Sequence, residues 1–291
     1  LGGERFVVTP GFTNAHHHTS GITYFQTGHV DMVLETWLSQ MSNAARSDRY
    51  YNELASYLKH IRTGVTSILQ TDNPHDAENW VRAAKDSGLR VMVGIAVGGK
   101  TDQSFFDSFD RLWKKNITPE SRIRLFFAPW GVHWASDDLL KAVAEAAKKY
   151  QTGVHIHLSE TQYQTGGKRF SESLTEHAQK LGFFGKNVSC GHCVWMSDTD
   201  IDLIKQSGAS VVTNPASNLR LLSGVAPIAK MVRTGINVAI GMDGLAFNDD
   251  EDIFAEMKLC WYIHKGVGKT PEGITSEDVF RMGTINGARA L

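Results

Sequence analysis

The chain has 291 residues, enough for one large domain, and its 42% hydrophobic and 21% charged content is that of a soluble protein with a sizeable core. With 30 basic and 31 acidic residues the net charge is −1, which speaks against a nucleic-acid or anionic-membrane binder, and no run approaches the ~20 apolar residues of a membrane span. Three cysteines make no disulfide framework and residues 1–5 lack a signal-peptide layout, so a cytoplasmic setting is expected.

In chain order, the first informative stretch is Val8-Thr9-Pro10-Gly11-Phe12-Thr13-Asn14-Ala15-His16-His17-His18-Thr19. If residues 12–18 are extended, His16 and His18 share one face and His17 points the other way. Two imidazoles so placed can reach one cation. Residues 31–40 and 46–62 then read as helices, and Gly64 closes the second. Strands are expected at 65–70, 89–97, 123–129, 153–157, 188–192, 209–213 and 236–242, most of them β-branched or near-continuously apolar. Between them the 3.6 periodicity predicts helices at 76–87, 103–115, 137–150 (capped by Ser136), 171–181, 198–206 and 226–233. Helices fill most of the remainder. Eight strands alternating with helices predict a closed (β/α)8 barrel, with an open doubly wound sheet as the runner-up, and no linker divides residues 1–291.

In such a barrel the chemistry sits at the C-terminal ends of the strands. Here the first strand ends in His16 and His18, the fifth in His155-Ile156-His157-Leu158-Ser159-Glu160, the sixth in Gly191-His192 and the eighth in Met242-Asp243-Gly244. One such histidine is more often a hydrogen-bonded core residue than a ligand. Five polar residues at four strand ends of one face reverse that preference, because unpartnered polar groups there cost several kcal/mol. Three imidazoles and a carboxylate suit zinc first and iron(II) second.

These motifs resemble the metal-dependent amidohydrolase superfamily, and within it the cyclic-amidohydrolase branch of cytosine, guanine and S-adenosylhomocysteine deaminases and triazine hydrolases. The resemblance covers nearly the whole chain: Pro-Gly-Phe-Thr-Asn-Ala-His-His-His at 10–18, His-Leu-Ser-Glu-Thr at 157–161, Gly-His-Cys-Val-Trp-Met at 191–196, Asn-Pro-Ala-Ser-Asn at 214–218, Gly-Met-Asp-Gly at 241–244 and Thr-Ile-Asn-Gly-Ala-Arg-Ala-Leu at 284–291. It implies His16, His18, His157 and Asp243 as ligands of one divalent metal. It implies His192 at the attacking water or the attacked atom, Glu160 as proton shuttle and Asp243 as the group that takes the water's proton. The expected reaction is hydrolytic deamination of a small nitrogen heterocycle, by a water whose pKa the metal lowers to about 7. A chloro- or amino-hydrolase of the triazine type, or a ring amidohydrolase, is the runner-up on the same machinery.

Binuclear relatives carry a carboxylated lysine at the end of strand four, where this chain has Phe127-Ala128-Pro129-Trp130-Gly131-Val132-His133, so one ion is expected. Nucleoside-type deaminases place a histidine after Ala-Pro, where Trp130 stands here. Trp130, His133 and Trp195 are expected to hold a flat ring, although an aromatic there is as often plain packing. His155 is expected to be a hydrogen-bonded barrel residue, and His60, His177 and His264 surface residues; His29 is a weaker pocket candidate. Family members usually carry a small β-sandwich built from segments flanking the barrel. Neither segment is present in residues 1–291, so an exposed apolar flank is expected. Self-association is compatible with the sequence.

Two rival readings come from other classes. Gly94-Ile95-Ala96-Val97-Gly98-Gly99-Lys100-Thr101 fits a P-loop pattern and would make the chain a nucleotide-binding protein, although residues 95–97 read as strand. Cys190-Gly191-His192-Cys193 matches a disulfide-exchange motif, which needs a helix N-terminus that is not expected before about residue 198.

Overall fold

The computed structural model describes residues 3–19, 28, 30–40, 47–72, 74–167, 169–266 and 273–291. Its centre is a parallel sheet of β1 (Phe12–His18), β2 (Val65–Asp72), β3 (Arg90–Val97), β4 (Ile123–Pro129), β5 (Val154–Leu158), β6 (Val188–His192), β7 (Ser210–Thr213), β8 (Val238–Ile240) and β9 (Asp243–Gly244), in the order β8-β7-β6-β5-β4-β3-β2-β1-β9. Each of β2 to β8 pairs with its predecessor or successor in the chain, and helices return between them, which is the (β/α)8 barrel expected.

The eighth strand differs from its expectation. Instead of running unbroken over 236–242 it pairs with β7 through Ile240, breaks at Gly241-Met242, and resumes as β9 against β1 with His17 opposite Asp243. The break is where the chain changes partner and closes the sheet. Gly241 is required there, since a Cβ on it would lie 2.6 Å from His16 Cβ and 2.2 Å from Asn214 Oδ1.

The helices form where capping and periodicity place them. Ser136, Ser173 and Ser197 accept N–H groups at the starts of Asp137–Tyr150, Leu174–Lys180 and Asp198–Ser207, and Gly88 and Gly208 end Ala77–Ser87 and Asp198–Ser207 in the left-handed conformation. Alternation along the strands separates two interiors. Val91, Val93, Ile95, Leu125, Phe127, Ile156 and Leu158 face outward and pack with Trp80, Phe109, Leu139 and Val143 from the helices. Inside the barrel, Leu69, Met92 and Phe126 fill the lower end against Leu291, just beyond the last helix, Ile285–Ala290. Phe6, Val7 and Val8, ahead of β1, lie exposed.

The two rival readings are lost, and the surface placement of the helix histidines is corrected. Gly94 lies within β3, paired with Thr71 and Phe126, so residues 94–97 form ladder and cradle no phosphate. Cys190 and Cys193 are buried in and just after β6, burial pushes the Cys193 thiol up, and the next helix begins only at Asp198, so the disulfide-exchange reading is lost. His60 and His264 are buried rather than on the surface, while His177 is half-buried between Glu172 and Asp137. His29 lies outside the described residues. No helix among the described residues is long and apolar enough to cross a membrane.

Candidate metal and active site

The strand ends at the top of the barrel bring His16, His18, His157, His192, Glu160 and Asp243 together. Because β1 is extended, His16 and His18 both face inward, with ring centroids 4.7 Å apart. His16 Nε2 lies 3.8 Å and His18 Nε2 3.9 Å from Asp243 Oδ1, and His18 Nε2 lies 3.0 Å from His157 Nε2. His192 approaches from β6: its Nε2 is 4.0 Å from Asp243 Oδ2 and its Nδ1 3.8 Å from Glu160 Oε1.

His18, His16 and His192 are each aimed by a partner outside the cluster. His18 Nδ1 donates to the Thr71 carbonyl at 2.5 Å, which leaves its Nε2 as a lone pair. His16 Nδ1 sits 2.7 Å from His155 Nε2, and His155 Nδ1 bonds Ser189 Oγ at 2.8 Å, so His155 is the hydrogen-bonded barrel residue expected. His192 Nδ1 donates to Asn218 Oδ1 at 2.8 Å. Asp243 has a positive φ of 55° and is held by the Ser217 hydroxyl at Oδ2 (2.5 Å) and by the Gly244 N–H at Oδ1 (2.8 Å). Such partners orient metal-binding imidazoles and carboxylates.

The electrostatics fit a cation. Burial first, and then the neighbouring imidazoles, hold His16 and His157 well below the ordinary histidine range, so both are neutral donors of a lone pair. His16 Nε2 is buried with no hydrogen-bond partner. His18 Nε2 and His157 Nε2 lie 3.0 Å apart, close enough for a proton on one to bridge them, and a carboxylate oxygen lies beside them, so three potential ligand atoms face one point. A divalent ion satisfies all of them. His16, His18 and Asp243 form one group within ligating reach of one another, and His16, His157 and His192 another. Glu160 behaves differently: burial, helped by Asp243 and opposed by His192, raises its pKa above the ordinary carboxylate value.

Of the three residues expected to hold a ring, Trp130 lies against the cluster, 6.1 Å from His18 and 6.0 Å from His157 with interplanar angles of 24° and 28°. His133 lies near Arg169 and Glu35, and Trp195 donates its indole N–H to the Ser223 carbonyl and is 42% exposed. The residues that sequence reasoning passed over are the supports: Thr71, Ser189, Ser217, Asn218 and Gln164, whose Nε2 faces Glu160 Oε2 at 3.5 Å. The Asn-Pro-Ala-Ser-Asn run after β7 was the available signal for two of them.

The profile of the amidohydrolase family matches residues 7–291. A 5'-deoxyadenosine deaminase of Methanosarcina mazei is 33% identical over 299 residues, covering 98% of this chain and 68% of its own length. A 5-methylthioadenosine/S-adenosylhomocysteine deaminase of Acetivibrio thermocellus is 34% identical over 295 residues, covering 98% and 68%. Among solved structures, an adenosine deaminase from Xanthomonas campestris with bound zinc superposes with a TM-score of 0.88 at 26% identity, over 97% of this chain and 66% of that one. The chain thus spans about two thirds of the length of these relatives. On the barrel, the converging strand ends and these matches, this chain belongs to the amidohydrolase family.

Proposed function

We propose that the protein catalyses hydrolytic deamination of a flat nitrogen heterocycle, with His16, His18, His157 and Asp243 holding one divalent ion, zinc by preference. The observation that carries this is the convergence of four strand ends on one point, with His16 and His18 Nε2 3.8 Å and 3.9 Å from the same Asp243 oxygen. The relative with bound zinc supports the choice of metal. When bound there, the ion supplies a water ionised near neutral pH and polarises the site.

The chain's own groups divide the proton work. Asp243 directs one oxygen to His16 and His18 and the other toward His192, so it takes the proton that the water sheds as its oxygen adds to the amino-bearing carbon. Glu160, whose pKa burial raises, protonates the adjacent ring nitrogen and makes that carbon electrophilic. Return of protons to the amino group lets ammonia leave and restores the ring. His192, pinned by Asn218, orients the attacking water or contacts the atom under attack. Trp130 offers a face parallel to the imidazoles for the ring to lie against.

The test is metal analysis of the purified protein followed by ammonia release from purine nucleosides, purine bases, pyrimidines and amino-triazines. One equivalent of zinc and metal-dependent ammonia release from one of these classes are expected. A zinc-loaded protein that retains no ion, or one that releases chloride or an alkylamine in place of ammonia, overturns the reading.

A further inference from the structure

A second polar cluster lies on the opposite face of β1, built around His17. Its ring is fully buried, with Nδ1 2.6 Å from the main-chain oxygen of Asp243 and Nε2 2.8 Å from Ser56 Oγ. Ser56 Oγ is in turn 3.2 Å from Glu251 Oε1. Ser56 and His60 come from the helix Arg49–Arg62, and Glu251 from the loop after the short helix Leu245–Asn248 that follows β9, at a φ of 57°. His60 donates its Nδ1–H to the Ser56 carbonyl at 2.8 Å and receives the Asn14 amide on Nε2 at 2.9 Å. The Asn14 amide is oriented, because its Oδ1 accepts the Met242 and His16 N–H groups at 3.0 and 3.2 Å.

Counting hydrogens decides how this cluster is bonded. Ser56 has one hydroxyl proton and faces two acceptors, His17 Nε2 and a Glu251 oxygen. The count closes with one further proton, on His17 or on Glu251, and only the second leaves no charge in this fully buried cluster. Glu251 then donates to Ser56 Oγ, Ser56 donates to His17 Nε2, and His17 Nδ1–H donates to the Asp243 carbonyl. Every donor points the same way and no charge is left buried. Burial pushes Glu251 up to about 8, in keeping with that state.

The chain ends on a peptide that matters. The Asp243–Gly244 peptide offers its carbonyl to His17 and its N–H to Asp243 Oδ1, at 2.6 and 2.8 Å. Any rotation of that peptide plane breaks both bonds and swings the carboxylate. Asp243 also holds a positive φ that non-glycine residues rarely adopt, which surrounding contacts must maintain. We propose that His17, backed by Ser56 and Glu251, is a positioning residue that fixes the Asp243–Gly244 peptide and so the direction in which the Asp243 carboxylate faces His16 and His18. This rests on the reading of Asp243 as a metal ligand.

The test uses the full chain loaded with cobalt(II), read by its visible absorption spectrum and by cobalt retention against a competing chelator, with Asp243→Asn as the reference. His17→Phe is expected to shift the spectrum and weaken retention about tenfold or more, the usual range for a lost ligand-orienting partner. His17→Asn, which keeps an N–H near the Nδ1 position, is expected to recover most of both. Glu251→Gln can still donate to Ser56 and is expected to leave the spectrum as it was. Ser56→Ala reads the same link with a smaller change, should His17→Phe fail to fold. Folded His17→Phe or Ser56→Ala proteins with wild-type spectrum and retention overturn the proposal, as does His17→Asn behaving like His17→Phe. Two equivalents of cobalt in the wild type, falling to one in Glu251→Gln, overturn it in favour of a second ion among His17, His60 and Glu251. An Asp243→Asn protein with an unchanged spectrum instead sinks the site reading beneath it.

Discussion

Glu160 and Asp243 sit in one pocket, yet their surroundings prepare them for different work. Burial is the first cause of the raised Glu160 pKa, while Asp243 is held in place by two short hydrogen bonds, from the Ser217 hydroxyl and the Gly244 N–H. Glu160→Gln should therefore lower kcat by at least about 10²-fold, the range of a lost general acid, and leave metal content at the wild-type level. Asp243→Asn should lose both. Ammonia release and metal analysis on the same preparations check this, and a Glu160→Gln protein at full activity would remove the proton shuttle. At this scale the sequence was legible wherever spacing fixes direction. His16 and His18 share a face because a strand repeats every two residues. His60 was not legible. The buried side of its helix carries Glu53, Ser56, Tyr57 and His60 at helical spacing, so the inward face reads as polar and was mistaken for surface.

Among the elements, the junction of β8 and β9 governs the site. There the chain leaves β7, passes within van der Waals reach of His16 and pairs with β1, and only an absent side chain permits the approach. Gly241→Ala forces a Cβ to 2.6 Å from His16 Cβ and 3.0 Å from its backbone nitrogen, neither of which is a flexible end. The expected cost is about 1–3 kcal/mol, as for overpacking, with weakened zinc retention because His16 must shift. Thermal unfolding and chelator competition measure the two effects. A variant with wild-type stability would mean that the junction has room the structure does not show. The sequence reading took 236–242 as one strand because hydrophobic runs carry no information about which neighbour a strand pairs with.

For the whole molecule, buried ionisable groups set the response of the metal-free protein to pH. Burial raises Glu251 and Glu256 to about 8 from 4.5, so between these values the unfolded chain has released protons that the folded one keeps, and stability falls as pH rises. The buried histidines act the other way. His60 is lowered to about 4 and His155 to about 3 from 6.5, so their contribution is lost as pH falls below 6.5 and is constant above it. From about pH 7 to 8 only the carboxyl groups remain, each contributing a slope of up to about 1.4 kcal/mol per pH unit. Metal-free protein should melt at a lower temperature as pH rises through that window, and Glu251→Gln should flatten the dependence. A Tm that rises across it would contradict the buried neutral carboxyls.

The sequence by itself determined the alternation of strands and helices, the inward pairing of His16 with His18, and the motifs that mark the amidohydrolase family. Those follow from local rules, because backbone period and capping act within a few residues. Only the tertiary structure decided that Asp243 meets His16 and His18, that Trp130 lies against the cluster, and that His17 finds Ser56 and Glu251. These pairs lie far apart along the chain and meet only because the sheet closes on itself, and closure is a property of all the strands together.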